Sequence, residues 1–476
     1  MTNNTSTQNY QVPLGPKIAF GLGMLANQMF PAALGIFMVV LVQDLGFSPI
    51  QWAVIYFAPR IFDAISDPIM GFISDNTRSK WGRRRHYVFA GGLIMGVTYI
   101  FMWQLYPESG VDYNFTYFMI WSFFFYLGLT IFSVPYVAIG YEMSPDFHER
   151  TQIMAIAQFI GQWAWVIAPW FWVIFYDPEW FASPDAAVRE TSVWVAVSCT
   201  IFAVIPAIFI KSKSTLNDTS LIPVNARNIG KSLREIFKGF KEAFAIRQFR
   251  KLCIATFLIY NTFYTIAAFS FFIIVHYMFG GDAGAAGIWP TLHGCVGALV
   301  TTFIVIPIIE RISKKLGKKK TFILSQGISI IGYILFWFLF VPGKPYLFLI
   351  ALPFFSFGIG GLFTLMMSMT ADVLDLDELN TGKRREGIFG AIYWWMVKVG
   401  FAIAGGLSGA IMAWVGFDPG AEVQVEGANT GMRLFYTFFP IIGTLIAMWV
   451  MRDYDITEEK ANEIRAELAA RKVAEN

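Results

Sequence analysis

Formal charge is scarce in this chain of 476 residues, because Asp, Glu, Lys and Arg together make up 14% of it. A soluble globular protein carries about 25% of these residues. Hydrophobic residues make up 56%, and 48 Phe and 16 Trp suit lipid-facing surfaces and membrane interfaces. The low charge therefore excludes an ordinary soluble domain and indicates a membrane protein.

Cysteine and histidine are also rare, with three and four residues. Cys199, Cys253 and Cys295 each lie in an apolar run without paired spacing, which excludes a disulfide framework or a cysteine metal site. The sequence has no nucleotide-binding loop, nucleophile–base set or histidine pair at metal spacing. We therefore expect no enzyme activity, no cofactor and no nucleic-acid partner.

Most of the sequence consists of long apolar runs. Residues 1–16 lack the basic stretch and short apolar core of a cleaved signal, so the first run is expected to remain as a membrane helix. Runs of about 20 residues predict twelve spans, at 17–42, 50–74, 87–107, 113–141, 152–176, 191–211, 249–279, 287–310, 320–341, 345–371, 388–414 and 432–451. Internal prolines are expected to break several of them, at Pro59, Pro135, Pro169, Pro206, Pro290 and Pro353.

Basic residues are distributed unevenly among the loops. One set of alternating loops, together with both ends of the chain, holds 31 of the 36 Lys and Arg residues. The opposite loops hold Arg189, Lys344 and Arg433. Because positively charged loops stay in the cytoplasm, we predict a multi-pass plasma-membrane protein, such as one of a bacterial inner membrane, with both termini cytoplasmic.

The longest polar gap divides the spans into six and six. The predicted domains are a six-helix half at 1–211, a cytoplasmic linker with an amphipathic helix at 212–248, a second half at 249–451 and a tail at 452–476. The pattern of the linker helix places it along the membrane surface. The tail is expected to be a charged, solvated helix.

An internal repeat supports this division. The run Ser79–Arg85 after the second span recurs as Ser313–Lys320 after the eighth, at about half the chain length. Two parallel six-helix repeats are typical of the major facilitator architecture. The sequence therefore predicts an all-α membrane protein of twelve helices in two pseudo-symmetric halves.

The central parts of the spans contain four formally charged residues, Arg60, Asp63, Asp67 and Lys398. Charge inside lipid is costly and more often marks an ion or solute path than a structural contact. Asp63 and Lys398 have similar depths, roughly 17 and 15 Å from the basic side. Two carboxylates one turn apart repel each other, which favours a proton or a small hard cation between them.

Hydroxyl groups of Ser66 and Thr130 are available to complete an oxygen shell for Na⁺ or Li⁺, and protonation is the alternative. Asp63 and Asp67 are therefore predicted to be the metal ligands if the coupling ion is Na⁺. A purely structural interpretation also remains open. In it, Arg60 and Lys398 pair with the two aspartates in a buried lattice that joins two helices.

The run Arg60–Gly71, continuing through Thr77–Gly82, resembles the signature of the glycoside–pentoside–hexuronide:cation symporters, the melibiose permease-like family of the major facilitator superfamily. A second match, Ala371–Asp375, precedes Arg385–Gly387 and leads to Lys398. The resemblance covers nearly the whole chain. It implies that Asp63 and Asp67 bind the coupling cation with Thr130, and that Lys398 lies beside them.

The positions for the solute depart from that resemblance, because Gln28, Ser133 and Gln158 stand where melibiose carriers have charged sugar-binding groups. A galactoside is therefore not expected. Amides and aromatic faces remain to bind sugar hydroxyls and ring faces. The candidate solute-binding residues are Asn27, Gln28, Ser133, Gln158, Gln162, Tyr264 and Trp394.

The sequence and its resemblance together predict a secondary active transporter. It would couple Na⁺, Li⁺ or H⁺ to the symport of a sugar, glycoside or uronide by alternating access. Its expected partners are a sugar-type solute, a monovalent cation and the lipid bilayer. A major facilitator exporter or a lysolipid carrier remains open, since one fold hosts many functions.

Overall fold

A computed structural model describes residues 11–144, 147–219, 221–382, 385–418, 421 and 424–475. These residues form helices and connecting turns, and no β-strand is found among them. A helix satisfies all of its backbone hydrogen bonds internally, which is the requirement that lipid imposes on an apolar run. The all-α prediction is confirmed.

The helices in the first part of the chain are α1 (Leu14–Gln43), α2 (Pro49–Asp75), α3 (Arg85–Met102), α4 (Val111–Glu142), α5 (Phe147–Ile167), α6 (Phe171–Tyr176), α7 (Pro184–Phe209) and α8 (Ala226–Ala245). The helices that follow are α9 (Arg247–Phe272), α10 (Ala283–Ala286), α11 (Trp289–Val300), α12 (Ile306–Leu316), α13 (Lys318–Leu339), α14 (Leu352–Thr381), α15 (Glu386–Trp414), α16 (Glu426–Arg452) and α17 (Glu458–Glu475). Single π-helical turns at Ile273–Met278 and Thr301–Val305 extend α9 and join α11 to α12.

Within the described residues, ten helical segments are long and apolar enough to cross a membrane. The predicted second and third spans form α2 and α3 but are not among the ten. The helix α2 contains Arg60, Asp63 and Asp67, and α3 is only 18 residues long and begins at Arg85. The structure is thus that of a polytopic membrane protein, and the count of twelve spans stays a prediction.

The expected proline breaks are only partly correct. Pro135 and Pro206 lie inside continuous helices, and α2 runs through Pro59. A proline removes one backbone donor, and in these helices the loss does not interrupt the helical path. Pro169 does mark a break, in a 3₁₀ turn between α5 and α6. Two others, Pro290 and Pro353, stand in the first turns of α11 and α14, where no intrahelical donor is needed.

The structure divides into two compact units, of which the first comprises Met1–Met38, Ile65–Ala168 and Ala182–Leu233. Its α3 and α4 pack closely, since the backbone of Phe132 occupies the space that a Cβ at Gly91 would need. Small residues allow helices in membranes to approach in this way.

The second unit comprises Val39–Ala64, Pro169–Phe181 and Arg234–Asn476. It contains a similar close helix–helix contact at a glycine, because the backbone of Phe355 on α14 occupies the space next to Gly332 on α13. These boundaries describe compactness, and the proposed domains 1–211, 212–248, 249–451 and 452–476 remain a prediction.

The repeated basic loops share a backbone feature. Gly82 has φ +83° and Gly317 has φ +77°, a conformation that side chains disfavour. In the first unit Arg84 pairs with Asp75 and Glu142. In the second unit the Lys318 ammonium donates to Asp372 at 2.5 Å. The basic residues Lys383 and Arg384 lie outside the described residues.

The C-terminal helix α17 corrects the expectation of a solvated tail. It buries Ala461, Ile464 and Leu468, which are three and four residues apart and therefore share one face. Its Arg465 bridges Asp372 at 2.6 Å and Asp375 at 3.2 Å, both on α14. The tail is a docked part of the second unit because its few apolar residues form one continuous stripe.

Candidate functional site

An ion pair between a half-buried lysine and a buried aspartate joins α2 to α15. The Lys398 ammonium donates to Asp63 Oδ2 at 2.8 Å, and Asp63 is 5% exposed. Asp63 lies about 18 Å along α2 from the basic end at Asp75, which is near the middle of a bilayer core. The structure thus places two of the four intramembrane charges in direct contact, far from the basic loops.

Glycines on α15 permit this approach. Tyr56 fills the space next to Gly405, and the backbone of Pro49 fills the space next to Gly409. The indole of Trp52 also donates to Ser408 Oγ at 3.0 Å. The α2–α15 contact therefore extends over several turns, and the ion pair lies at one end of it.

Arg60 is held on its own helix. Its guanidinium donates to the carbonyl oxygen of Tyr56 at 3.0 Å and lies 4.1 Å from the centroid of the Tyr56 ring. A cation over an aromatic face is attracted by the ring quadrupole. The same Tyr56 side chain therefore contacts both Arg60 and the glycine face of α15.

Two hydroxyl groups lie within hydrogen-bond distance of each other, and one of them belongs to Ser66, which precedes Asp67 in the chain. Ser66 Oγ and Thr130 Oγ1 are 2.8 Å apart, and Thr130 is 1% exposed. These residues belong to the first compact unit, whereas Asp63 belongs to the second, because the boundary falls between Ala64 and Ile65. Asp63 and Asp67 are one turn apart along the continuous helix α2. Their joint role as cation ligands stays a prediction.

An amide network joins α1 to α5 in the first unit. Gln28 Nε2 donates to Gln158 Oε1 at 2.8 Å, and the Trp165 indole donates to Gln28 Oε1 at 3.1 Å. The sequence prediction included Gln158 and Gln162 but missed Trp165. The spacing was a usable signal, because residues 158, 162 and 165 fall on one face of a helix.

The other predicted solute residues lie in different surroundings. Asn27, Ser133 and Gln162 are half-buried in the first unit. In the second unit, the ring of Tyr264 stacks on Tyr260 with a centroid distance of 5.7 Å, and Trp394 is 47% exposed. Trp394 therefore has an accessible ring face, whereas Tyr264 is fixed by aromatic packing.

The end of the second unit remote from the basic loops is closed by polar and aromatic contacts. His276 Nε2 lies 2.9 Å from Gln43 Oε1, and Tyr176 donates to Asp44 at 2.7 Å. The rings of Trp172 and Phe271 stack at 4.2 Å. His276 lies in the π-helical turn after α9, and such turns occur frequently at functional sites.

An ionic cluster lies at the basic end of the same unit. Arg385, just before α15, donates to Asp377 at 2.6 and 2.8 Å and to Glu242 at 2.7 Å. The hydrogen bond to Asp377 is the main cause that raises the pKa of Arg385 above its ordinary value. These ion pairs fix the start of α15 against α14 and α8.

The chain is similar to proteins that move solutes across membranes. A family model described as "MFS/sugar transport protein" matches residues 19–458. A protein of Escherichia coli (strain K12) called glucuronide carrier protein homolog is 23% identical over 98% of this chain and 97% of its own length. The sodium-dependent lysophosphatidylcholine symporter 1-A of Danio rerio is 22% identical over 93% of this chain and 86% of its own length.

The fold is similar to that of solved transporters. An inward-facing, unoccupied bacterial homolog of the human lysosomal transporter Spinster superposes with a TM-score of 0.64. It is 13% identical, and the match covers 93% of this chain and 96% of that one. At this identity the likeness concerns the fold alone.

Proposed function

The chain belongs to the MFS/sugar transport protein family, so it is a membrane transporter and not an enzyme, and we propose that it is a cation-coupled symporter of a sugar-type solute. The ion pair between Asp63 and Lys398 carries this proposal. Membrane helices retain charge at such depth chiefly where ions or solutes pass. A pair that merely joined helices would be replaceable by apolar residues at little cost.

Lys398 acts in the proposal as a tethered cation. Its ammonium neutralises Asp63 when no coupling ion is bound, at a distance of 2.8 Å. A bound Na⁺, Li⁺ or H⁺ reduces the negative charge of the carboxylate pair on α2, which weakens the attraction for Lys398. The position of α15 then depends on whether the cation is present, and this dependence is the structural basis of coupling.

The ligands proposed for the cation are those that the sequence predicts: Asp63, Asp67 and the hydroxyls of Ser66 and Thr130. The two hydroxyls are within hydrogen-bond distance of each other, and Thr130 is deeply buried. Hard monovalent cations prefer such oxygen ligands, and a proton needs a carboxylate alone. Replacing Thr130 by Val should therefore weaken Na⁺ coupling more than H⁺ coupling.

The solute binds at the amides of Gln28 and Gln158 in this proposal, and Asn27, Ser133 and Gln162 stay candidates from the sequence. Amides supply both donors and acceptors to sugar hydroxyls. Tyr264 and Trp394 stay candidates from the sequence, and of the two Trp394 has the accessible ring face. When solute and cation are both bound, the protein exposes them to the other side of the membrane by alternating access.

A lysolipid is a second candidate solute, because a relative covering 93% of the chain is named as a sodium-dependent lysophosphatidylcholine symporter. A uronide is compatible with the name of the Escherichia coli relative. For a lysolipid and for a uronide the proposed cation site is the same, and only the solute differs.

Purified protein in liposomes tests the proposal. Uptake of radiolabelled monosaccharides, disaccharides, uronates and lysophosphatidylcholine is measured with imposed gradients of Na⁺, Li⁺ or H⁺. We expect one sugar-type solute to accumulate when a cation gradient is present and to equilibrate without one. Accumulation of lysophosphatidylcholine alone would favour the second candidate, and gradient-independent uptake of every solute would contradict symport.

A further inference from the structure

The C-terminal part of α8, Arg234–Ala245, packs against the beginning of the apolar span of α15. A Cβ added at Gly239 would lie 3.0 Å from Ile388, the first residue of the apolar span in α15. The Phe240 ring meets Trp395 edge-on at a centroid distance of 5.5 Å. These contacts place α8 at the depth where α15 enters the membrane.

The face of α8 that points away from the protein combines one large apolar side chain with several basic ones. Phe237 is 72% exposed. At about 100° per residue, Lys241, Arg234 and Lys238 follow Phe237 within an arc of about 100°. Gly239 and Ala243, which are buried, lie on the opposite side of the helix.

The acidic residues of this segment lie at the edge of that surface. Glu235 and Glu242 project about 160° and 140° from Phe237 on the helical wheel. Glu242 lies between two cations, 2.7 Å from Arg385 and 4.0 Å from Lys238, so its charge is shared between the protein and the edge of this surface. The exposed surface therefore has a net positive charge beside an exposed aromatic ring.

We infer that Phe237, Arg234, Lys238 and Lys241 form a binding surface for the headgroups of anionic phospholipids. Phe237 enters the boundary between headgroups and acyl chains, and the basic side chains contact the lipid phosphates. A bilayer is the occupant that fits, because the surface begins at the level of a membrane span and its charge is opposite to that of anionic lipids. The inference rests on the proposed orientation of the basic loops, and it needs neither the solute nor the coupling cation.

The test uses the full-length chain in a neutral detergent at low salt. Short-chain phosphatidylglycerol, short-chain phosphatidylcholine and inorganic phosphate are titrated, and binding is counted by native mass spectrometry. The test variant is Lys238→Gln with Lys241→Gln, and the matched control is Lys460→Gln with Arg471→Gln, two basic residues of α17 outside the spans. Thermal unfolding checks that both variants are folded.

We expect phosphatidylglycerol to bind more tightly than phosphatidylcholine, and inorganic phosphate to bind negligibly. The test variant should weaken phosphatidylglycerol binding by about 30-fold, at about 1 kcal/mol for each lysine, and the control should not. Phe237→Ser should weaken the binding of both lipids. Equal affinity for the two lipids, tight binding of inorganic phosphate, or an equal loss in the control would overturn the inference. None of these outcomes depends on transport, so failure of the symport proposal is distinguished from failure of this one.

Discussion

At the residue scale, the carboxylate of Asp63 is both a buried charge in the structure and a ligand in the proposed coupling mechanism. Asp63 is almost fully buried and accepts a hydrogen bond from Lys398 at 2.8 Å. Desolvation makes such a pair expensive to keep, and removing one member costs more than replacing both. This asymmetry provides a way to separate a structural role from a coupling role.

Replacing Lys398 by Ala should remove an ion-pair partner of Asp63 and destabilise the protein, by less than the ~3–5 kcal/mol of a fully buried pair because Lys398 is partly exposed. Transport should fall because the position of α15 no longer responds to the charge on α2. Thermal unfolding and uptake measure both effects, and Lys344→Ala in an exposed loop is the matched control. A double variant, Asp63→Asn with Lys398→Ala, should regain stability but not coupling. Full recovery of gradient-driven uptake in the double variant would instead indicate a structural lattice.

The amide network leads to a prediction about the solute. Because Gln28 and Gln158 bond to each other and carry no charge, we expect weak or no accumulation of melibiose. Cation-driven uptake of labelled melibiose by the purified protein is the measurement, with the best solute of the uptake panel as the positive control. Efficient melibiose accumulation would show that this assignment of the solute site is wrong.

Much of the candidate site was predictable at this scale, because charge inside an apolar run is conspicuous. Asp63 and Lys398 were found in this way, and their similar depths were read from residue counts. Trp165 was missed because tryptophan is common in this chain, and its hydrogen bond to Gln28 depends on how α1 packs against α5. Such pairings are set by tertiary packing and not by composition.

At the element scale, α17 shows how a short charged segment becomes part of a unit. Arg465 should stabilise the second unit because Asp372, which it contacts at 2.6 Å, is deeply buried. Arg465→Ala is expected to lower stability by about 1–3 kcal/mol, since a buried charged acceptor loses one donor. Thermal unfolding in detergent measures the change, and Lys460→Ala on the same helix is the control. Identical unfolding of both variants would mean that the bridge contributes nothing.

The helices themselves were largely predictable, because apolar length is a strong signal for a span. The predicted span 17–42 corresponds closely to α1 at Leu14–Gln43. Proline effects were harder to predict, because a mid-helix proline such as Pro135 is tolerated where other groups satisfy the freed carbonyl. The docking of α17 was missed because its apolar stripe has only three clearly buried members.

At the scale of the whole molecule, the unequal distribution of basic residues predicts the orientation. Alkaline phosphatase fusions after Gly46 or Gly281 should be active, because those loops would face away from the cytoplasm. Fusions after Arg84 or Lys319 should be inactive, and fusion protein levels on immunoblots serve as the control. The reverse pattern of activity would contradict the proposed topology.

The two-fold repeat was predictable from the matching basic loops, and both units use closely packed glycine contacts, at Gly91 and at Gly332. The limits of the compact units were not predictable from sequence. Residues 39–64 and 169–181 group with the second unit, although they precede the long polar linker. Such grouping depends on which helix ends meet in space.

Coupling is the central claim, and it is tested most directly by the affinity of the solute identified in the uptake panel, measured with and without the coupling cation. Asp67→Asn is compared with the wild-type protein by equilibrium binding. We predict that the cation tightens solute binding in the wild type, and that solute tightens cation binding by the same factor. The variant should bind solute with an affinity that no longer responds to the cation. If Asp67→Asn keeps the full cation response, Asp67 is not a coupling ligand and the proposed mechanism is contradicted.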